Sequence, residues 1–101
     1  MDRIKQSDLE YYAGLINQAT NSPQDPYHTD ENNQNRANIG NYHISGAYSG
    51  KSLHRMCNEK GGVSDVFSCG HIPSRDLYNR MRAYLAGLEE MEYIFIEKGY
   101  K

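Results

Sequence analysis

Four side chains in the middle of the chain have the chemistry of metal ligands: His54, Cys57, Cys69 and His71. Structural zinc is held by tetrahedral sets of cysteine and histidine, usually with short spacings inside each ligand pair. Residues three apart in a regular strand point to opposite faces, so His54 and Cys57 would converge on one ion only through a bulge. The spacing therefore favours a buried thiol and exposed imidazoles, and we expect neither a metal nor another cofactor.

The same segment supplies the residue types of a cysteine nucleophile, because His54 and Asn58 flank Cys57. Nucleophilic catalysis needs a thiol, a base and an orienting group in contact, and residue types alone do not establish that contact. A free thiol in a strand is usually a small apolar core group. No glycine-rich phosphate loop follows a strand and opens a helix. The sequence thus favours a protein that is not an enzyme.

Three residues have side chains suited to holding a charged, planar small molecule. Arg75 follows a predicted helix start, and a guanidinium can pair with phosphate and stack on a base. Tyr48 beside a glycine turn offers a stacking ring, and Asn58 offers a polar contact for a base. The alternatives stay open: Arg75 as a solvated surface arginine, and Tyr48 and Asn58 as turn residues.

The first forty residues predict one helix and one loop. Ser7-Asp8-Leu9-Glu10 has the pattern of a capping box, and apolar residues then recur at helical spacing until Asn21-Ser22-Pro23. We therefore expect a helix over residues 8–20. Residues 21–40 contain two prolines and a polar tract with little to bury, so we expect a mobile loop there.

From residue 41 the pattern becomes extended and then helical again. Alternating residues and turn dipeptides at Ser49-Gly50 and Lys60-Gly61-Gly62 predict a three-stranded antiparallel meander. Ser74 is a candidate N-cap, and a helical apolar stripe follows it. The stripe consists of Leu77, Tyr78, Met81, Tyr84, Leu85 and Leu88. We predict an α+β fold: an N-terminal helix and a three-stranded antiparallel β-meander covered by a C-terminal amphipathic helix.

The tail Met91-Glu92-Tyr93-Ile94-Phe95-Ile96 fits a continued helix, an added strand or a docking segment equally well. The chain has the length of a single domain, which we place over residues 1–101. Its hydrophobic content of only 38% supports a modest core, and the tail adds apolar surface, so we expect the protein to self-associate.

Charge and hydropathy restrict the partners. A net charge of −2 without a basic run argues against a nucleic-acid polymer. Apolar runs of membrane-spanning length and a signal-peptide pattern are both missing from the sequence, so we expect a cytoplasmic protein with its two cysteines as thiols.

Three stretches together resemble one known family, the first type of phage anti-Thoeris sponge. They are Tyr42-His43-Ile44-Ser45-Gly46-Ala47-Tyr48-Ser49-Gly50, Cys57-Asn58-Glu59-Lys60-Gly61-Gly62-Val63, and Pro73-Ser74-Arg75-Asp76-Leu77-Tyr78 leading to Ala83-Tyr84-Leu85-Ala86-Gly87-Leu88. The resemblance covers residues 42–88, about half of the chain. It implies a protein that sequesters the cyclic ADP-ribose signal of the Thoeris defence, and in some members cyclic oligonucleotides, without cleaving them.

The resemblance also implies roles for individual residues. Tyr48 would stack on adenine, Asn58 would contact the ligand, and Arg75 would pack on the base and phosphates. It further implies dimers grouped as a hexamer in the cytoplasm of the infected bacterial host. Members of the family use an arginine from the N-terminal helical region of a neighbouring subunit. The predicted first helix has none, which leaves Asn17, Gln18 or Arg36 as substitutes.

Two functions are therefore expected, from different classes. The first is a sponge for a cyclic ADP-ribose-type or cyclic oligonucleotide signal. The alternative is an inhibitor that binds a host defence protein through the tyrosine-rich surface, since the chain has nine tyrosines, and through the apolar tail. The sequence does not specify which cyclic nucleotide would be preferred, or whether a second ligand site exists.

Overall fold

The computed structural model describes residues 3–97, and side chains among them through residue 94. Two helices enclose the strands in chain order: α1 (Gln6–Ala19), β1 (Tyr27–Thr29), β2 (Asn35–Ala37), β3 (Tyr42–Ala47), β4 (Gly50–Met56), β5 (Val63–Asp65) and α2 (Ser74–Glu97). Strands β3, β4 and β5 form an antiparallel sheet in that order. The predicted α+β fold with a three-stranded meander between two helices is confirmed.

The N-terminal helix begins earlier than the sequence predicted, and its cap is different. The Asp8 carboxylate accepts a hydrogen bond from the Lys5 backbone amide at 2.8 Å, and the Lys5 carbonyl accepts from the Asp8 amide. The capping box predicted for Ser7 and Glu10 is therefore wrong. The acidic side chain of the first turn is Asp8, and it caps the helix at Lys5, two residues before Ser7, so α1 starts at Gln6.

Residues 21–40 contain a two-stranded hairpin, β1 and β2, in place of the loop that was predicted. Polar side chains build its turn. Asp30 accepts hydrogen bonds from the amides of Asn32 and Gln34, each at 2.9 Å, and forms an ion pair with Arg36 at 3.0 Å. Apolar patterning misses such an element, because side chain to backbone hydrogen bonds hold it.

The core lies between the two helices and one face of the sheet. Its buried members are Leu9, Ala13, Ile16, Tyr42, Leu53, Leu77, Met81 and Leu85. The helical spacing predicted for α1 and α2 puts these residues inside, and each fully buried aliphatic side chain contributes about 1.5–3 kcal/mol. The hydroxyls of Tyr42 and Tyr84 join across the core edge at 3.0 Å. Burial and this hydrogen bond raise the pKa of Tyr84 to about 12.

Helix α1 also closes one edge of the sheet. The Asn17 side chain is 2% exposed, and its amide donates to the Tyr42 carbonyl at 3.0 Å while its oxygen accepts from the Tyr42 amide at 2.7 Å. These bonds replace the partners that a further strand would give β3. At Tyr42 the edge of β3 is therefore satisfied without another strand.

Helix α2 continues to Glu97, so the ambiguous tail is a helical continuation as far as the structure describes it. Its first residue is Ser74, and the Pro73 carbonyl accepts from the Leu77 amide at 3.1 Å. Pro73 therefore holds the N-cap place that was predicted for Ser74. In the described residues no helix is both long enough and apolar enough to cross a membrane.

Candidate functional site

Tyr48 occupies the tight turn between β3 and β4. Ala47 pairs with Gly50, so the two turn residues are Tyr48 and Ser49, one position earlier than the predicted Ser49-Gly50 turn. Both have left-handed backbones, with φ of 53° and 62°. The Tyr48 ring is 96% exposed, and its centroid lies 6.1 Å from that of His71. A large aromatic side chain thus projects into solvent from a conformation that favours asparagine or glycine.

Asn58 lies beyond the other end of β4 and holds the next turn. Its side-chain oxygen accepts hydrogen bonds from the amides of Lys60 at 3.0 Å and Gly62 at 2.9 Å. A Cβ atom placed on Gly62 would stand 2.3 Å from the Asn58 amide nitrogen, so any other residue there would displace the Asn58 side chain. The oxygen of Asn58 serves the turn, which leaves its amide group as the part able to face a ligand.

Arg75 lies in the first turn of α2 against an aromatic residue. Its guanidinium carbon is 5.9 Å from the Tyr78 ring centroid, and that of Arg82 is 5.6 Å from the same centroid. The Tyr78 ring also meets Tyr12 of α1 edge to face at 5.3 Å. Arg75 and Arg82 are both exposed. This arrangement presents two cationic groups on one helical surface, as binding of an anionic ligand requires.

Within one chain these three residues do not line a single pocket. Lys51 at the start of β4 pairs with Ile72, so Tyr48 and Arg75 lie toward one end of the sheet. Asn58 follows the other end of β4, and seven residues of strand span about 23 Å. Grooves of about 330–410 Å³ occur elsewhere and are lined by other residues. A pocket containing all three would require a second copy of the chain.

The candidates for the missing N-terminal contact differ in their surroundings. Asn17 is buried and bonded to Tyr42. Arg36 pairs with Asp30. Gln18 is exposed and lines a groove with Glu89 and Glu92, whose carboxylates would repel an anion. Each of these three residues therefore has a structural or electrostatic feature that argues against its taking the place of the family's N-terminal arginine.

The face of the sheet opposite the core holds a polar cluster that the sequence analysis did not assemble. It comprises Ser45 and His43 of β3, Ser52 and His54 of β4, Asp65 of β5, and His71, and we name it the imidazole patch. Register places these residues together: His43 pairs with His54, His54 with Asp65, and Ser45 with Ser52. The antiparallel Lys51 to Ile72 pairing sets His71 opposite Ser52.

The patch has a continuous row of rings. The His71 centroid lies 5.7 Å from that of His54, which lies 6.0 Å from that of His43. His71 also contacts Ser45 through its Nε2 at 3.1 Å, across a Ser52 that is fully buried. Tyr48 extends the row at the His71 end.

The electrostatics of the patch favour the uncharged imidazoles of His43 and His54. Burial lowers the pKa of His43, and the nearby His54 lowers it further. Burial also lowers the pKa of His54, with Asp65 opposing and His71 reinforcing this shift. Burial acts to raise the pKa of Asp65, but hydrogen bonds, led by that from the Gly70 amide at 2.7 Å, hold it below its usual range. Near neutral pH the patch therefore presents the neutral imidazoles of His43 and His54 beside one carboxylate.

Among the residues that the structure describes, no group of three or more His, Cys, Asp or Glu side chains is arranged to hold a metal ion. Cys57 is exposed and contacts the Arg55 carbonyl at 3.5 Å, whereas His54 belongs to the patch. Of the four residues first considered for zinc, His54 and His71 share the patch, whereas Cys57 is exposed outside it and Cys69 is partly exposed.

One sequence feature could have revealed part of the patch. His43 and Ser45 before the turn are mirrored by Ser52 and His54 after it. With the turn at Tyr48 and Ser49, this order places histidine opposite histidine and serine opposite serine. Because the turn was predicted at Ser49-Gly50, one residue too late, the facing of His43 with His54 and of Ser45 with Ser52 was not recognised.

Comparisons with protein-family models, with curated proteins and with solved structures gave no match to this chain.

Proposed function

We propose that this chain is a phage anti-defence protein that binds a cyclic nucleotide immune signal in the host cytoplasm and sequesters it without cleavage. The proposal rests on the resemblance of residues 42–88 to anti-Thoeris sponges and on the exposure of Tyr48. That ring is 96% exposed on a turn whose backbone favours other residues. A strained, solvent-facing aromatic residue indicates selection for contact with a ligand.

The ligand class follows from the groups near this end of the sheet. Tyr48 supplies a stacking ring, and Arg75 supplies a guanidinium that is itself held against Tyr78. Stacking and charge-assisted hydrogen bonds are what an adenine ring and phosphates require. Asn58 would complete the contacts from a neighbouring copy of the chain, because it lies at the opposite end of β4.

A ligand screen tests the proposal. Purified protein is heated with cyclic ADP-ribose isomers and with cyclic di- and trinucleotides, and a bound signal should raise the melting temperature. A thousandfold excess over the dissociation constant corresponds to about 4 kcal/mol of stabilisation. The complexes are then denatured by heat, and chromatography of the released ligand should show that it is intact. If none of the compounds raises the melting temperature, the protein does not sequester these signals. If a cleaved product is released, the protein is an enzyme.

The second candidate is an inhibitor that binds a host defence protein. Exposed aromatic and apolar residues favour it: Tyr11, Tyr27, Met91 and Tyr93 are 48–64% exposed. It predicts a complex with a purified defence protein that forms without nucleotide and survives loss of Tyr48. The two candidates therefore give opposite results with the Tyr48 variants described below.

A further inference from the structure

The imidazole patch has a geometry that the proposed contacts of Tyr48, Asn58 and Arg75 leave unused. Both helices pack on the opposite face of the sheet or along the β3 edge. His43, His54 and His71 are each partly exposed, above a serine that is fully buried. The rings therefore form the outer layer of this part of the sheet.

Successive rings along the patch lie 6.1, 5.7 and 6.0 Å apart, starting from Tyr48. Aromatic side chains on an open sheet face are a common means of holding bases, because a base can stack on them whatever its sequence context. The Tyr48 ring is continuous with this row through His71, so a ligand on the turn would adjoin the patch.

The charge of the patch selects a neutral group over an anion. Asp65 contributes a negative charge beside His54, since His54 pairs with His43 on one side and with Asp65 on the other, and neither partner is a lysine or an arginine. Neutral imidazoles offer one nitrogen that donates and one that accepts, which suits the edge of a heteroaromatic ring.

We propose that the imidazole patch binds a nucleobase, with the base lying against His54 and His71 and adjoining Tyr48. This inference deepens the proposed function, since it adds a base-binding surface to the sponge, and it rests on that function for its biological meaning. The ligand class is a flat, uncharged heteroaromatic ring carried by a nucleoside or nucleotide.

Nuclear magnetic resonance titration of the full chain at pH 7.5 tests the inference with three probes: adenosine, AMP and ribose 5-phosphate. Adenosine and AMP should shift the imidazole C–H resonances of His54 and His71, and those of His28 should stay in place. His28 is the matched control because it lies in β1 and pairs with Asn38. Ribose 5-phosphate should cause no shift. Shifts with AMP and ribose 5-phosphate but not with adenosine would mean anion binding, and equal shifts with all three would mean that the base is not recognised; either result would overturn the inference.

Variants locate the contact. His54→Ala and His71→Ala should each weaken adenosine binding at least fivefold, and His28→Ala should leave it unchanged. His54→Asn removes the ring and keeps a smaller polar side chain. Once circular dichroism has verified that this variant is folded, it should also have lost adenosine binding. Retained adenosine affinity in folded His54 and His71 variants would overturn the inference.

The same titration separates this inference from the proposed function. If adenosine shifts the patch resonances while every cyclic nucleotide fails in the thermal screen, the sponge function fails and the base-binding surface stands. If cyclic nucleotides bind through Tyr48 and Arg75 with no change at His54 or His71, the sponge stands and the patch inference fails.

Discussion

Tyr48 has a backbone conformation that disfavours tyrosine, yet its ring is exposed to solvent and adds little to the core. Tyr48 and Ser49 form a two-residue connection in which both backbones are left-handed. Hairpins of this kind favour Asn-Gly, because asparagine and glycine tolerate positive φ. Tyrosine at the first position costs stability there, so its retention points to a role outside the fold.

Tyr48→Asn should therefore raise the free energy of unfolding by about 1 kcal/mol and abolish binding of the cyclic nucleotide. Urea denaturation measures the first effect, and isothermal calorimetry measures the second. Ser49→Gly is the matched control, because it relieves the same turn while keeping the ring. That variant should gain stability and retain affinity. Full affinity in folded Tyr48→Asn would remove Tyr48 from the site.

Arg75 should contribute to binding and little to folding. It is exposed and lies outside the buried stripe of α2, so Arg75→Ala should leave the melting temperature near that of the parent. Loss of a guanidinium that pairs with phosphate and stacks on a base should cost roughly 2–4 kcal/mol of binding, thirtyfold or more in affinity. Arg75→Lys should restore little, because an ammonium lacks the planar stacking face.

Arg80 provides the comparison for Arg75, since it is also an exposed arginine of α2 and, two residues from Tyr78, faces a different side of the helix. Arg80→Ala should bind the cyclic nucleotide with parental affinity in calorimetry. If both alanine variants weaken binding equally, the effect is one of general charge, and the specific role of Arg75 is wrong.

At the scale of elements, the helices and the meander were accessible from the sequence, and the hairpin of β1 and β2 was not. Leu77, Met81 and Leu85 repeat at helical spacing, and burial of apolar groups is the dominant force, so α2 follows from its pattern. The β1–β2 hairpin depends on Asp30 bonding to nearby amides and to Arg36. Hydrogen bonds of this kind leave no periodic pattern.

The candidate site divides in the same way. Residue chemistry was enough to select Tyr48, Asn58 and Arg75 as candidates. It did not show that the side-chain oxygen of Asn58 accepts hydrogen bonds within its own turn. That can be seen only from the positions of the Lys60 and Gly62 amides. Nor did it assemble the imidazole patch, since His71 reaches the sheet only through the pairing of Lys51 with Ile72.

The contact between α1 and the β3 edge has its own test. Asn17→Ala would leave the Tyr42 amide and carbonyl unpaired in a buried setting, which should lower the free energy of unfolding by about 2–3 kcal/mol in urea denaturation. Gln18→Ala is the control, because the neighbouring side chain is exposed. Equal stability of the two variants would show that Asn17 does not hold the edge.

For the whole molecule, the imidazole patch predicts sensitivity to acid. His43 and His54 have folded-state pKa values below the 6.5 of an unperturbed histidine. The unfolded chain therefore binds more protons as the pH falls through 6.5, and the free energy of unfolding falls with it. Stability from this source is fully present above pH 6.5.

Urea denaturation at several pH values between 7.5 and 4.5 measures this effect. The double variant His43→Gln and His54→Gln should show a flatter dependence of stability on pH, and His28→Gln should match the parent. The lowered pKa of Asp65 acts in a separate window, because its contribution is lost only as the pH falls below the usual 3.8. An unchanged slope in the double variant would contradict the assignment to these histidines.

Assembly is the remaining prediction at this scale. Tyr48 and Asn58 lie toward opposite ends of β4, and α2 carries exposed Met91 and Tyr93 in its later turns. Both features favour a homo-oligomer in which neighbouring copies complete each site, and the family resemblance implies dimers grouped as a hexamer. Light scattering at micromolar concentration should give a mass well above 11.6 kDa. A monomer mass would contradict it.

The pairing of β3 with β4 also bears on the order in which the molecule assembles. His43 and His54 approach each other through a two-residue turn, and hairpins of this kind close within about 1–10 μs. Asp65 and His71 come from farther along the chain, and α1 must cross the intervening hairpin segment to reach β3. During folding, the two facing imidazoles would thus meet before the carboxylate that offsets their charge is in place. Acid would oppose this pairing, since like charges directly across a ladder repel each other.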